Sequence, residues 1–235
     1  MQESLPKERD FWHYNRAVTV PLSEVLAALE RTAPLAFAEA WDNVGLLIEP
    51  TPVSQAALLS HVLLTSDLSD EVVAEAESLG AGLIVAYHPP IFQGLKRLRS
   101  SAAAERAVVR CLARGITVFS PHTALDSAPS GVNTWLTEAF GAGQRGPCVP
   151  HPVDANYGQG RFVRLDQPIS LTQAVQAIKQ QLGLTQLRVA AAAAHATDAA
   201  VIRSIAVCAG AGGSLFEELR GYDLYVTGEM RHHDV

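Results

Sequence analysis

In Gly82-Leu-Ile-Val-Ala-Tyr-His-Pro-Pro-Ile-Phe92, an apolar run leads directly into a histidine and two prolines. A short, continuous apolar run of this kind is typical of a buried β-strand. His88 therefore stands at the carboxyl end of a strand, where open α/β sheets hold their ligands. Because Pro89 and Pro90 fix the backbone and lack N–H donors, we expect the imidazole on a rigid strand end.

A second segment repeats this arrangement. The run Ile116-Thr-Val-Phe-Ser120 is followed by Pro121-His-Thr-Ala-Leu-Asp126. His and Asp are ligand types that borderline divalent metals favour. His122 and Asp126 are four positions apart, so they would share a face of a helix, whereas in a loop Asp126 could ligate metal and His122 could be a structural hydrogen-bonding residue. The local residues leave metal binding and packing or capping roles both open.

Strands and helices alternate around these two segments. We expect Ser23 to cap the first helix, and short joints connect most of the elements. Such alternation predicts an α/β fold with a largely parallel sheet covered by helices on both faces. The predicted helices are Pro21–Thr32, Glu71–Leu79, Ala102–Ala113 and Gly131–Phe140, and the other predicted strands are Leu46–Glu49 and His61–Thr65.

The segment 141–160 is rich in Gly and Pro, and we predict that it links two halves of the chain. The predicted organisation is a flexible tail over residues 1–20, a first α/β half over 21–140, the linker, and a second α/β half over 161–235. In the second half, Ser170 and Gln173 form a capping box that opens a helix to Leu182, and strands are expected at Ile205–Ala209 and Asp223–Thr227. The alanine-rich stretch Val189–Ala194 is compatible with either a strand or a helix. We expect this half to be incomplete at its C-terminus, because a covering helix normally follows such a strand.

At a third strand end, the carboxylate of Glu229 follows the strand that ends at Thr227. His232 and His233 come directly after it, and Glu229 and His233 would face each other on a helix. Glu229 is therefore a further metal-ligand candidate, although a charged exposed terminus explains the same residues equally well.

Composition excludes several classes of protein. The 235 residues carry a net charge of −6 with a pI near 5.7, which argues against nonspecific nucleic-acid binding. The three cysteines are far apart and form no CxxC pair, so neither a disulfide framework nor a Cys-rich zinc site is expected. A reducing compartment fits this usage, the cytoplasm first and the nucleus as a second location. No apolar run approaches the length of a membrane span.

Five segments, taken in order, resemble the Ngg-interacting-factor-three-like family, also called the GTP cyclohydrolase I type 2-like family, and its eukaryotic members in particular. The resemblance runs from about Leu22 to the end of the chain. The five segments are Trp41-Asp-Asn-Val-Gly45, Tyr87-His-Pro-Pro-Ile-Phe92, Ser120-Pro-His-Thr-Ala-Leu-Asp126, Gly131-Val-Asn133 and Leu224-Tyr-Val-Thr-Gly-Glu-Met-Arg-His-His-Asp234.

The resemblance implies two similar α/β halves with mostly parallel sheets facing a central cleft, a dinuclear divalent-metal centre (zinc, manganese or iron) in that cleft, and a ring-shaped homo-oligomer. It makes His88 the second member of a His-His ligand pair and Asp126 the Asp ligand. Tyr87 occupies the place of the first His, and a neutral phenol is a poor metal ligand. The family's C-terminal His and Glu motif is absent, so we expect metal to bind weakly unless Glu229, His232 or His233 compensates.

Two functions follow from these features. The first is a metal-dependent hydrolase in which a divalent metal activates water and His122 orients it or moves a proton. A nucleotide substrate is suggested only by the family's name. The second is a non-catalytic interaction protein, since eukaryotic members resemble regulators that contact transcriptional corepressors.

Overall fold

The first half of the chain is a four-stranded sheet covered by helices. The computed structural model describes residues 19–192 and 201–234. The first-half elements are α1 (Leu22–Thr32), β1 (Gly45–Ile48), β2 (Val62–Thr65), α2 (Asp70–Leu79), β3 (Leu83–Ala86), α3 (Ala103–Arg114) and β4 (Thr117–Ser120). The strand order is β1-β4-β3-β2, with β2, β3 and β4 parallel and β1 antiparallel to β4.

Strand β3 is buried on both faces, which explains its unbroken apolar sequence. Successive strand residues point to opposite faces. Ile84 and Ala86 pack in a core cluster with residues of α2 and α3, while Leu83 and Val85 pack on the α1 side. Burying each aliphatic side chain of this size contributes roughly 1.5–3 kcal/mol, so β3 is held firmly in the centre of the sheet.

The ends of the first helices follow local rules, with one exception. The Ser69 hydroxyl accepts the Val72 N–H at the start of α2, and Gly80, at φ +63°, ends that helix. The prediction that Ser23 caps α1 is wrong. Pro21 occupies the N-cap position without a side-chain hydrogen bond, and Ser23 lies inside the first turn.

Two short helices, α4 (His122–Ser127) and α5 (Val132–Glu138), connect the two halves. A Cβ at Gly131 would lie 1.7 Å from the Leu125 carbonyl oxygen, so the tight turn between them requires glycine. Side chains of α5 pack in the core of the second half, beside Val163, Ile205 and Val207. By packing, α5 therefore belongs to the second half, although the predicted boundary placed it in the first.

The second half is a mixed sheet in the order β10-β9-β8-β5. Only β9 and β10 are parallel, whereas β8 is antiparallel to both β9 and β5. A capping box between Ser170 and Gln173 opens α6, as predicted. The elements are β5 (Gly143–Gly146), β6 (Val149–Pro150), β7 (Gly158–Gln159), β8 (Arg161–Ser170), α6 (Leu171–Leu182), β9 (Val201–Ala211), α7 (Gly213–Glu218) and β10 (Leu224–Glu229).

The prediction of a two-sheet α/β fold is confirmed, with corrections in the second half. The parallel arrangement expected of both sheets holds for most of the first and for only one pair in the second. Part of the predicted linker 141–160 is strand β5, which pairs with β8 through backbone hydrogen bonds. Residues 189–192 form no regular element, and the rest of the undecided stretch, like residues 1–18 of the predicted tail, lies outside the described residues. No helix within the described residues is long and apolar enough to cross a membrane.

Candidate metal and catalytic site

His88 lies at the carboxyl end of β3, as the sequence predicts. Its backbone N–H donates to the Ser66 carbonyl at 2.9 Å, which extends the pairing of β2 with β3 past the strand end. Its Nδ1 lies 2.9 Å from Oδ1 of Asp67, a largely exposed carboxylate. With Nδ1 directed at a carboxylate, the Nε2 lone pair is left for another partner.

His122 begins α4 and is held in the same manner by a buried carboxylate. Its Nδ1 lies 2.8 Å from Oδ2 of Asp42, whose side chain is 0% exposed. Asp42 also accepts hydrogen bonds from the Thr123 N–H at 3.1 Å and the Thr123 hydroxyl at 2.5 Å. Burial pushes the Asp42 pKa upward, but these hydrogen bonds outweigh it and hold the pKa below its ordinary value. Asp42 therefore faces His122 as a carboxylate.

The backbone of His122 is strained. Its φ is +24°, and no other non-glycine residue in the described ranges has a positive φ. Strain of this kind costs of order 1–3 kcal/mol and persists where surrounding contacts fix it. Here the contacts of Asp42 with His122 and Thr123 fix the start of α4.

Asp126 lies on α4, one turn after His122. Its Oδ1 accepts the Tyr87 hydroxyl at 2.5 Å, and its backbone carbonyl accepts from Asn133 Nδ2 at 3.1 Å. Burial raises the pKa of Asp126, and the hydrogen bond from Tyr87 and the nearby histidines oppose that rise only in part. Burial and the charge of Asp126 raise the pKa of Tyr87 as well. Tyr87 is therefore a neutral donor that occupies one carboxylate oxygen.

These side chains form one cluster at the strand ends of the first sheet. The rings of His88 and His122 have centroids 5.5 Å apart, and the Tyr87 and His122 rings are 5.6 Å apart. The second half reaches this cluster through β9, where burial and then the charge of Asp126 raise the pKa of Cys208 to about 12. The structure thus brings His88, His122 and Asp126 together near the junction of the halves.

Glu229 lies on the second sheet, outside the hydrogen-bonded cluster of the first. It is the exposed last residue of β10 and pairs with Ala211. Within residues 19–192 and 201–234, no hydrogen bond or ion pair joins it to His88 or Asp126, and no three or more His, Cys, Asp or Glu side chains form a group able to hold a metal ion. His232 and His233 lie in a 3-10 turn, not in the α-helix that would set Glu229 against His233. Metal ligation by His88, Asp126 and Glu229 stays a prediction.

Sequence reasoning missed the roles of Asp42 and Asp67. An Asp in a turn is expected to bond the local backbone, and Asp42 does accept the Asn43 N–H at 2.8 Å. Its longer-range partners come from a segment eighty positions away and carried no sequence signal. Asp67 did carry one, because it follows β2 just as His88 follows β3.

The fold and the cluster define a class: a two-sheet α/β protein with His and Asp side chains at the strand ends of its first sheet. A family model described as Duf34/NIF3 (NGG1p interacting factor 3) matches residues 20–235. The chain is 41% identical to NIF3-like protein 1 of Drosophila melanogaster over 91% of this chain and 71% of that protein. It is 36% identical to the NGG1-interacting factor 3 of Saccharomyces cerevisiae over 94% of this chain and 82% of that protein.

Solved structures agree on the fold. A Bacillus cereus protein described as related to NIF3 superposes with a TM-score of 0.74 at 22% identity, covering 93% of this chain and 84% of that one. The chain therefore belongs to the Duf34/NIF3 family, as the five sequence segments indicated.

Proposed function

We propose that this chain is a divalent-metal-binding protein in which His88 and Asp126 supply metal ligands and His122 transfers protons. The observation that carries the proposal is the pairing of two neighbouring imidazoles with carboxylates, His88 with Asp67 and His122 with Asp42. Metal-binding histidines usually donate their second ring N–H to such an acceptor, which fixes the tautomer and the ring orientation. Nε2 of each ring is then available as a lone pair.

The imidazole nitrogen and carboxylate oxygen offered here are ligand types that divalent metals accept. Two such ligands would leave coordination positions of the metal open. His88 offers Nε2, and Asp126 offers the oxygen that Tyr87 does not occupy. Catalytic metal sites normally have three protein ligands. His88 and Asp126 would supply two, and the described residues contain no group of three or more His, Cys, Asp or Glu side chains able to hold a metal ion. We therefore propose weak binding at these residues, with Glu229 as a further candidate donor.

The hydrolytic function rests on the same residues. A bound divalent metal would act as a Lewis acid and make water more acidic at neutral pH. His122 is held by buried Asp42 in the orientation that a general base requires, with Nε2 free to accept a proton and the carboxylate stabilising the resulting imidazolium. Tyr87, as a neutral hydroxyl, keeps Asp126 in place.

Metal content tests the ligand assignment. The stripped protein is reloaded separately with zinc, manganese and ferrous iron, and bound metal is measured by elemental mass spectrometry. We expect His88→Ala and Asp126→Ala to lose most of the metal while keeping the circular dichroism of the wild type. His61→Ala is the matched control, because His61 is an exposed histidine whose Nδ1 lies 3.0 Å from the Ser60 hydroxyl and which forms no ion pair with a carboxylate of residues 19–192 or 201–234. Unchanged metal content in both site variants would overturn the assignment.

A second function, protein interaction, is favoured by apolar exposure beside the cluster. Trp41 is 62% exposed and Phe92 is 48% exposed, and their ring centroids lie 6.1 Å apart. Exposed aromatic side chains of this kind anchor protein partners, and the yeast relative is named for an interaction with NGG1. We propose a transcription-related partner of that type as the alternative, together with the homo-oligomer that the family resemblance implies.

Mutations distinguish the two proposed functions. A scaffold should keep partner binding in His88→Ala and Asp126→Ala and lose it in Trp41→Ala with Phe92→Ala, as measured by pull-down with the NGG1 homologue of the same organism. Loss of binding in the metal-site variants alone would contradict the scaffold function. Light scattering gives the oligomeric state in the same preparations.

A further inference from the structure

A small cavity lies at the junction of α5, β5 and β8, and none of the candidate metal donors lines it. Its volume is about 150 Å³, too small for a metabolite of ordinary size and large enough for one small ion. Its lining residues are Pro129, Thr134, Arg145, Gly146, Pro147, Asn156 and Arg161.

Arg161 is the unusual member of this lining. It is 3% exposed, and burial lowers the pKa of its guanidinium. Its hydrogen-bond partners among the described residues are carbonyls: one terminal nitrogen donates to Asn156 O at 2.9 Å and the other to Ser127 O at 2.6 Å. A guanidinium has five N–H donors, so three remain unused, including the buried Nε–H.

The unsatisfied buried polar atoms of the described chain belong to residues that line this cavity. Within residues 19–192 and 201–234, two buried side-chain nitrogen or oxygen atoms lack a hydrogen-bond partner, Arg161 Nε and Thr134 Oγ1, and both residues line it. Arg145 adds a second guanidinium, which donates to the Thr137 hydroxyl and to the carbonyls of Thr137, Gly141 and Gly143 and keeps one Nη1 N–H beyond these four bonds. No carboxylate in the described ranges forms an ion pair with either arginine. A buried cation without a counter-charge is costly, and a bound anion offsets that cost.

We propose that this cavity binds a single phosphate-sized oxyanion, held by Arg161 and Arg145 and by the Thr134 hydroxyl. Arginine matches the geometry of phosphate oxygens and forms strong charge-assisted hydrogen bonds with them. The anion is either free inorganic phosphate or the phosphoryl group of a small phosphomonoester. The inference is independent of the metal proposal, because it uses none of the same side chains.

Calorimetric titration of the metal-free protein with inorganic phosphate tests the proposal, with chloride at matched ionic strength as the background. Chelator is present, so phosphate cannot bind through a metal. We expect saturable phosphate binding that weakens roughly tenfold or more in Thr134→Val and in Arg161→Lys, because each loses a hydrogen bond to a charged group. Arg164→Gln is the matched control, since Arg164 is an exposed arginine on the same strand and does not line the cavity.

Thr134→Val keeps the size of the side chain, so it provides the decisive variant if Arg161→Lys fails to fold. A parallel titration with O-phosphoserine distinguishes the two sources: comparable affinity places the phosphoryl group of a phosphomonoester in the cavity, and binding of inorganic phosphate alone assigns the free ion. Phosphate binding that is absent in the wild type, or equal in Thr134→Val and the wild type, would overturn the proposal.

Discussion

The two Asp–His pairs test how burial changes the contribution of the same interaction to the free energy of unfolding. Asp42→Ala removes a carboxylate that is 0% exposed, whereas Asp67→Ala removes one that is 75% exposed. In Asp42→Ala the Thr123 N–H, the Thr123 hydroxyl and His122 Nδ1 all lose their acceptor. Each unsatisfied buried donor costs about 1–3 kcal/mol, and such costs are not fully additive.

We therefore expect Asp42→Ala to lower the free energy of unfolding by about 3 kcal/mol, and Asp67→Ala to lower it by less than about 1 kcal/mol, the range of exposed pairs. The assay is urea unfolding of metal-free protein with linear extrapolation, because bound metal would add stability by mass action. Equal losses in the two variants, or a loss below about 1 kcal/mol in Asp42→Ala, would refute the burial argument.

Metal affinity should respond differently from stability. Asp67 orients the ring of the proposed ligand His88, so we expect Asp67→Ala to weaken metal binding by about 10–100-fold. Unchanged affinity in Asp67→Ala, alongside a loss in His88→Ala, would show that Asp67 does not position the ring.

Three further predictions concern the fold. Ile205→Ala, at a fully buried position on β9, should cost about 2–5 kcal/mol in urea unfolding; a cost below about 1 kcal/mol would contradict the packing of the second core. Gly80→Ala places a Cβ at φ +63° and should cost about 1–2 kcal/mol, whereas Gly94→Ala, with open space around it and no positive φ, should be close to neutral. Asp223→Asn tests pH dependence: burial raises the pKa of Asp223, but hydrogen bonds from Arg203 and Ser204 outweigh it and hold the pKa below 3.8. The stabilisation by the Asp223 carboxylate is therefore complete above pH 3.8 and is lost as the pH falls through the lower folded-state pKa. In that window the wild type should lose more stability than Asp223→Asn. Parallel curves of unfolding free energy against pH for the two proteins would refute the assignment.

Most of the first half could be predicted from sequence, because its signals are local. The four apolar residues of β3 identify a strand buried on both faces, and Gly80 identifies the end of α2. His88 could be selected as a site residue because it comes two positions after β3, and Asp126 because it lies in the segment that follows β4. The second sheet was less predictable. The apolar pattern of β8 is interrupted by Arg164 and by Asp166-Gln-Pro168, and its antiparallel partners on both sides are set by contacts far along the chain.

The sequence alone determined which residue types stand at the strand ends, since a strand, a histidine and two prolines in succession leave little freedom of placement. Tertiary structure alone decided what those side chains face. The Asp42 carboxylate meets His122 across eighty positions, and the Tyr87 hydroxyl meets Asp126 across thirty-nine. Arg161 is buried against the Ser127 carbonyl, and no carboxylate of the described residues forms an ion pair with it. Pairings of this kind depend on how helices and sheets pack, and neither periodicity nor spacing encodes them locally.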